Sequence, residues 1–247
     1  MPMNMPLFTM TSALLVAMTA ASARGDFEKD TVVTSSGNLE ITFIGHGSLM
    51  MRFAGKTIYI DPWGQLADYS LLPKADLILV THDHRDHWDL KAIEQVRTDK
   101  TVVLLTGKCA AAFSAGVAMK NGDSRVVLGI RIDAVPAYNI VHKRPEGNVF
   151  HPKGEGNGYI LTFGATRVYI AGDTENTPEM KALRNIAVAF LPMNLPYTMT
   201  PEMVADAARA FKPKVLYPYH YGETDPAKLV ELLKGEKGIE VRVRRMK

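Results

Sequence analysis

Thr81-His82-Asp83-His84-Arg85-Asp86-His87-Trp88-Asp89 packs three histidines and three aspartates into nine residues, directly behind the apolar run Leu77-Ile78-Leu79-Val80. Imidazole nitrogens and carboxylate oxygens are donors that divalent metals take. Side chains alternate faces in an extended segment, so His82 and His84 project to one side and can share an ion. Asp86 and His87 lie past a turn and are free to serve a second point nearby. Two neighbouring positions account for so dense a set, because catalytic two-metal sites hold their ions about 3.5–4 Å apart and stabilise the attacking and leaving oxygens together.

The elements that must position these groups are legible as short β-like runs: Leu39 to Ile44, Leu49 to Phe53, Thr57 to Ile60, Leu77 to Val80, Thr101 to Leu105, Arg125 to Val127 and Ile130 to Ala134. Gly, Pro or charged residues bound them, and Arg24 to Asn38 reads as a polar lead-in. Leu49 to Asp61 is echoed by Tyr159 to Asp173, each a strand, a Gly turn, a second strand and an aspartate at the exit. Either two hairpins share common turn preferences or the chain has two related halves. Thr177-Pro178, Thr200-Pro201 and Asp225-Pro226 each give an N-cap followed by Pro at the first helical position. The strands ahead of them end near Asp173, Asn194 and His220, and polar strand ends face the crevice where ligands sit. Val204, Ala207, Ala208 and Phe211 give the second helix one apolar face for packing on a sheet.

His82-x-His84-x-Asp86-His87 resembles the H-x-H-x-D-H signature of the metallo-β-lactamase-fold hydrolases. Later elements of that family have counterparts in Asp173, within Ile170-Ala171-Gly172-Asp173-Thr174, and His220, within Tyr217-Pro218-Tyr219-His220-Tyr221-Gly222. The intervening histidine is His142 or His151. His151 is preferred because Phe150 to Gly154 runs into the strand Tyr159 to Phe163, as in lactonase-like and phospholipase-D-like members. The resemblance implies an α/β fold, a four-layer αβ/βα sandwich with two mixed β-sheets. It also implies that His82, His84 and His151 bind one metal, that Asp86, His87 and His220 bind the other, and that Asp173 bridges them.

The cofactors so implied are two divalent ions, zinc first, with manganese or iron as alternatives on the same N/O donors. They would turn water into hydroxide near neutral pH for attack on a carbonyl or phosphorus centre. Asp86 is the expected catalytic residue, orienting that water or passing its proton to the leaving group. No ligand is a cysteine, which makes an antibiotic substrate a weaker expectation. An imidazole at His84, where the redox diiron branch carries a carboxylate, favours hydrolysis over electron transfer.

Other residues carry two readings each. His46, ending the first of these strands, is a site-facing residue or an ordinary loop histidine. Asp61 is a hydrogen-bond support for a ligand histidine or the start of an Asp-Pro turn. Asn194 and Tyr197 overhang the metals and contact substrate, or serve their own Pro-flanked loop. Lys143, Arg144 and Lys153 bracket His151, and this cluster, Lys153 included, attracts a phosphate or carboxylate or is merely solvated. Asp83 and Asp89 read as loop and capping residues. Arg242, Arg244, Arg245 and Lys247 read as a solvated edge and tail.

With 247 residues, 47% hydrophobic and 22% charged, the chain can bury one sizeable core. Its net charge of +3 would not by itself hold a polyanion. Residues 1–23 carry no charge, and Leu7 to Ala20 runs apolar into Ala21-Ser22-Ala23, a small-residue cleavage pattern. That reads as a signal peptide and places residues 24–247, a single domain, in the periplasm or outside the cell. Met1 to Pro6 lacks the usual basic residue, so an uncleaved anchor is the alternative, although the apolar run is short for a membrane span. The lone Cys109 forms no intrachain disulfide and reads as a packing thiol. Altogether the sequence indicates a metal-dependent hydrolase of a small lactone or phosphoester-type molecule, with no nucleic acid and no stable membrane span expected after cleavage. The alternatives are a nuclease of the same fold and a non-catalytic metal-binding protein.

Overall fold

The computed structural model describes residues 26–247, so the expected signal peptide lies outside the described residues. Strands β1 (Glu28–Thr34), β2 (Gly37–Gly45), β3 (Ser48–Phe53), β4 (Lys56–Ile60), β5 (Leu77–Leu79), β6 (Val102–Leu105) and β7 (Val117–Ala118) form one sheet in sequential order. The second sheet repeats that order with β8 (Ser124–Val127), β9 (Ile130–Ala137), β10 (Gly156–Phe163), β11 (Thr166–Ile170), β12 (Ile186–Pro192), β13 (Val215–Tyr219) and β14 (Glu240–Val241). In both sheets the first four strands pair antiparallel and the remainder parallel. The echoed hairpins, β3–β4 and β10–β11, therefore fill the same place in each sheet.

The alternation of side chains explains the layering. Ile58 and Ile60 of β4, and Leu77 and Leu79 of β5, join the core between the sheets. Tyr59, Ile78 and Val80 point the other way and meet Ala92, Ile93 and Val96 of helix α1 (Leu90–Val96) and Cys109 of α2 (Gly107–Ala112). The inter-sheet core holds the aromatic group Phe43, Phe190 and Tyr217, with Tyr217 centred 5.0 Å from each of the other two rings. On the far side, α4 (Pro201–Phe211) buries Val204, Ala205, Ala207, Ala208 and Phe211 and packs on β12. The result is two mixed sheets face to face with helices outside.

The Pro-led helix starts are where the sequence placed them. Thr177 caps α3 (Pro178–Lys181), Thr200 caps α4 and Asp225 caps α5 (Pro226–Leu233), each accepting from a first-turn amide. Asp89 caps α1 through the amides of Lys91 and Ala92.

Two expectations need correction. The polar lead-in contains β1, which pairs along its whole length with β2 from Glu28↔Phe43 to Thr34↔Gly37. It is an edge strand with one face in water, Val33 being 80% exposed, so its charges hid its alternation. Nor is the basic C-terminus a solvated tail. Arg244 donates from one guanidinium nitrogen to both oxygens of Asp30 at 2.8 Å, and Asp30 also accepts from Tyr217. Arg245 donates to the Asp26 carbonyl, and Met246 is fully buried. The chain's last residues thus tie the second sheet to β1.

Candidate metal centre

The site forms where strand exits of the two sheets meet. Beyond β5 the chain turns sharply, with the amides of His87 and Trp88 both donating to the His84 carbonyl. That turn separates His82 and His84 from Asp86 and His87, as the spacing implied. The loop between β9 and β10 brings His151, the exit of β11 brings Asp173, and the exit of β13 brings His220.

These side chains assemble into two groups. His82, His84, His151 and Asp173 present donor atoms within 4.8 Å of one another, and so do His46, Asp86, His87 and His220. Asp173 stands between them: its Oδ2 lies 3.2 Å from His151 Nε2 and 3.6 Å from His220 Nε2, and its Oδ1 lies 3.5 Å from His87 Nε2. Asp86 Oδ2 is 3.0 Å from His46 Nε2, 3.3 Å from His220 Nε2 and 3.5 Å from His87 Nε2. His46 is thus brought to the cluster, its ring 3.8 Å from that of His220. Gly47 beside it leaves room for the cluster, since a Cβ there would stand 2.8 Å from His87 Cε1.

The buried donors fit a metal. His82 Nε2, His87 Nε2, His151 Nε2 and Asp173 Oδ1 are all buried without a hydrogen-bond partner in the protein, and all converge. Buried polar atoms rarely go unpartnered in a native fold, and imidazole Nε2 atoms grouped with carboxylate oxygens are the donor set for divalent ions.

The opposite ring nitrogens are held by the protein. Asp61, fully buried, accepts from His87 Nδ1 at 2.8 Å, from the Thr81 hydroxyl at 2.7 Å and from the Thr81 amide at 2.8 Å. Thr81 Oγ1 in turn meets His82 Nδ1 at 3.0 Å. One carboxylate therefore orients a histidine of each group, which is how such partners fix tautomer and ring direction. His151 Nδ1 donates to Asn139 Oδ1 at 2.6 Å. Asn139 donates to Glu175 Oε1 at 3.1 Å, and Glu175 also accepts the amides of Ile140, Val141 and His142. His142 lies 2.8 Å from Glu175 and belongs to neither group, so His151 is the histidine the fold delivers.

The electrostatics follow. Burial disfavours the His87 cation, but the carboxylates of Asp173, Asp61 and Asp86 outweigh it and push its pKa up to about 10. Burial, reinforced by the His87 charge, takes His82 well below the usual histidine range, and burial with His151 lowers His84. Burial opposes ionisation of Asp173, yet the charges of His220 and His87 hold it well below the usual carboxylate range. Asp86 is lowered likewise, by hydrogen bonds from His220 and His46 that overcome its burial. Backbone amides do the same for Glu175. Burial pushes the Cys109 thiol up to about 11, so it is no nucleophile.

A cavity of about 440 Å³ opens onto the cluster, lined by His84, Asp86, His151, Asp173 and His220 together with Asn194, Tyr197, Arg85, Arg144 and Phe150. A smaller one of about 200 Å³ adjoins His82, His84, His151 and Asp173. Asn194 and Tyr197 are thus on the rim. Lys153 lines neither cavity, because Glu179 takes its ammonium at 2.7 Å and Tyr138 lies beneath it. Of its two readings, this pairing leaves Lys153 engaged with Glu179 rather than turned to either cavity. Asn139, Glu175 and Arg85 were not anticipated. Glu175 lies two residues past Asp173 in the loop ahead of α3, and neither it nor Asn139 carries a local pattern.

A family model described as beta-lactamase superfamily domain matches residues 40–220. A UPF0173 metal-dependent hydrolase of Methanopyrus kandleri is 31% identical over 204 residues, covering 76% of this chain and 86% of that protein. The crystal structure of a Parabacteroides distasonis protein assigned to the metal-dependent hydrolases superposes with a TM-score of 0.85 at 48% identity, covering 90% of this chain and all of that one. The metallo-β-lactamase fold protein YhfI of Bacillus subtilis, 12% identical, shares the fold with a TM-score of 0.65, covering 82% of this chain and 89% of its own. By strand order, layering and these matches, the chain has the metallo-β-lactamase fold and belongs to the beta-lactamase superfamily, within the UPF0173 metal-dependent hydrolase family.

Proposed function

We propose that the chain is a two-metal hydrolase of small lactones or phosphoesters, acting outside the cytoplasm. The observation that carries this reading is Asp173, whose two oxygens face histidines of both groups from an almost fully buried position. His82, His84 and His151 would hold one ion, Asp86, His87 and His220 the other, with Asp173 shared. His46 is a further donor beside Asp86. When bound, a pair of divalent ions supplies Lewis acidity and makes water a competent nucleophile near neutral pH.

The protein's own groups complete the chemistry. Asp86 has a side chain 31% exposed on the cavity side, against 4% for Asp173, and it stays a carboxylate. It can accept a hydrogen bond from water entering the cavity and hold that water toward the substrate. Asp61 and Asn139 keep the imidazoles from rotating, so the site needs no rearrangement as charge develops. Asn194 and Tyr197 on the rim can donate to a substrate oxygen. The proposed export rests on the apolar segment Leu7 to Ala20. No helix among the described residues is long and apolar enough to cross a membrane.

Elemental analysis of protein beginning at Arg24, dialysed without chelator, tests the paired site. About two ions per chain, with turnover in a screen of lactones and phosphodiesters, is the expected result. One ion or none after zinc or manganese is added rejects it.

A further inference from the structure

Basic side chains near the cluster differ in their partners. Lys108 is 2.8 Å from Asp83 and 3.5 Å from Glu155, and Lys153 is 2.7 Å from Glu179. Arg85 and Arg144 have no carboxylate within 4.0 Å among the described residues. These two line the 440 Å³ cavity that holds Asp86, Asp173 and His220. Arg144 also lines the smaller cavity beside His82.

The position of Arg144 is built. Its amide donates to the Asn148 carbonyl at 2.7 Å, its carbonyl accepts from Gly147 at 2.9 Å, and Lys143 bridges to Val149, so a tight turn carries it over the site. Its guanidinium lies 5.0 Å from the centre of the Phe150 ring, which packs edge-on against Tyr197, also at 5.0 Å. Contact with the ring restrains the guanidinium while leaving its N–H fork free, which suits bidentate recognition of an oxyanion. Arg85, between His84 and Asp86, approaches the same cavity from the opposite loop.

We propose that the substrate carries a permanent oxyanion, a carboxylate or a phosphate monoester, apart from the bond that is broken, and that Arg144 with Arg85 binds it. This rests on the hydrolase reading for the bond cleaved. The cavity admits a small molecule with its reacting carbonyl or phosphorus at the histidines, its body against Phe150 and Tyr197, and its charged end at the arginines. Arg85 and Arg144 are the basic side chains that line this cavity, and both are unpaired among the described residues.

Titration calorimetry on the metal-loaded protein separates recognition from turnover. The probes are three anilides built on one three-carbon spacer, ending in hydrogen, carboxylate or phosphate: butyranilide, glutaric acid monoanilide and 4-(phosphonooxy)butyranilide. At least one acidic anilide is expected to bind at least about 10-fold tighter than the neutral one, and the stronger of the two acids identifies the oxyanion. Arg144→Ala should reduce that preference about 10- to 100-fold, Arg144→Lys should restore part of it, and the double variant with Arg85→Ala should abolish it, while butyranilide binding stays unchanged. Equal binding of neutral and acidic probes by the wild type, or a preference that survives in the double variant, overturns the proposal. Turnover of 4-nitrophenyl esters, lactones and phosphodiesters, each with and without a carboxylate or phosphate end group, is scored separately. Arginine-dependent binding without turnover of any of them overturns the hydrolase reading and leaves the anion site standing.

Discussion

Asp61 and Asp173 face opposite nitrogens of one imidazole: Asp61 Oδ2 lies 2.8 Å from His87 Nδ1, and Asp173 Oδ1 lies 3.5 Å from His87 Nε2. The two aspartates leave the fourth strand of their respective sheets, so equivalent exits have taken different tasks. Asp173 is placed to meet an ion, whereas Asp61 stays behind the ring.

Asp61 is therefore predicted to matter for both ions. Asp61→Ala would leave His87 Nδ1 and the Thr81 amide buried without an acceptor, at about 1–3 kcal/mol each. Metal affinity should fall about 10- to 100-fold in both positions, because His82 also loses its support through Thr81. Competition with a chromogenic chelator reads the affinities, and urea denaturation reads the stability. Wild-type affinity in a folded Asp61→Ala protein would refute the support role.

Metal loading should release a proton from His87. Its folded pKa of about 10 lies above the ordinary 6.5, so the metal-free fold carries that proton across the range between them. The stability this contributes is full below pH 6.5 and is lost as pH rises through 10. His82 and His84 act in the opposite sense. Their lowered values give stability that is present above 6.5 and falls away as pH drops below it. Histidine titration alone then makes the metal-free protein most stable near pH 6.5. Denaturant midpoints from pH 5 to 10 check the shape, and calorimetry in buffers of different ionisation enthalpy checks the proton. A midpoint that climbs steadily from pH 7 to 10 would contradict the His87 assignment.

Asp173→Ala should lower bound metal below two per chain and cut turnover more than about 100-fold, since a donor facing both groups outweighs any outer partner. Circular dichroism should show the fold retained. Full metal content with unchanged hydrolysis would remove Asp173 from the shared position.

Glu175→Ala should destabilise the protein by about 3 kcal/mol, as the amides of Ile140, Val141 and His142 lose a common buried acceptor. The loop that carries Asn139 would loosen, and affinity at the His151 position should weaken more than at the His220 position. Equal weakening at both would argue that Glu175 serves the fold in general rather than His151.

Much of this was legible in the residues. Strands β2 to β6 of the first sheet were legible as short β-like runs bounded by Gly, Pro or charged residues, and Pro after a capping residue marked three helix starts. The spacing of His82, His84, Asp86 and His87 defined the chemistry. The hairpin echo pointed to Asp61 as the counterpart of Asp173, although only the folded chain shows which histidine it holds. What escaped notice depends on contacts distant in sequence. Asn139 and Glu175 acquire their roles because two loops meet, and no local period records that. Arg144 and Lys153 both flank His151 in the chain, one before it and one after, yet Glu179 draws Lys153 outward while Arg144 stays by Phe150 at the cavity. Charges hid β1 because an edge strand can keep one face in water.

His46, Asp61 and His220 all have left-handed backbones, with φ of 49°, 43° and 45°. Glycine would rest there more easily, but glycine has no imidazole and no carboxylate. Local preference and global purpose therefore disagree at three points around one cluster, which is frustration in the landscape sense, whereas Ala54, Leu128, Asn185 and Lys212 share the positive φ away from it. Glycine at any of the three would ease the backbone and remove the very group the site uses, so at these positions stability and chemistry pull apart.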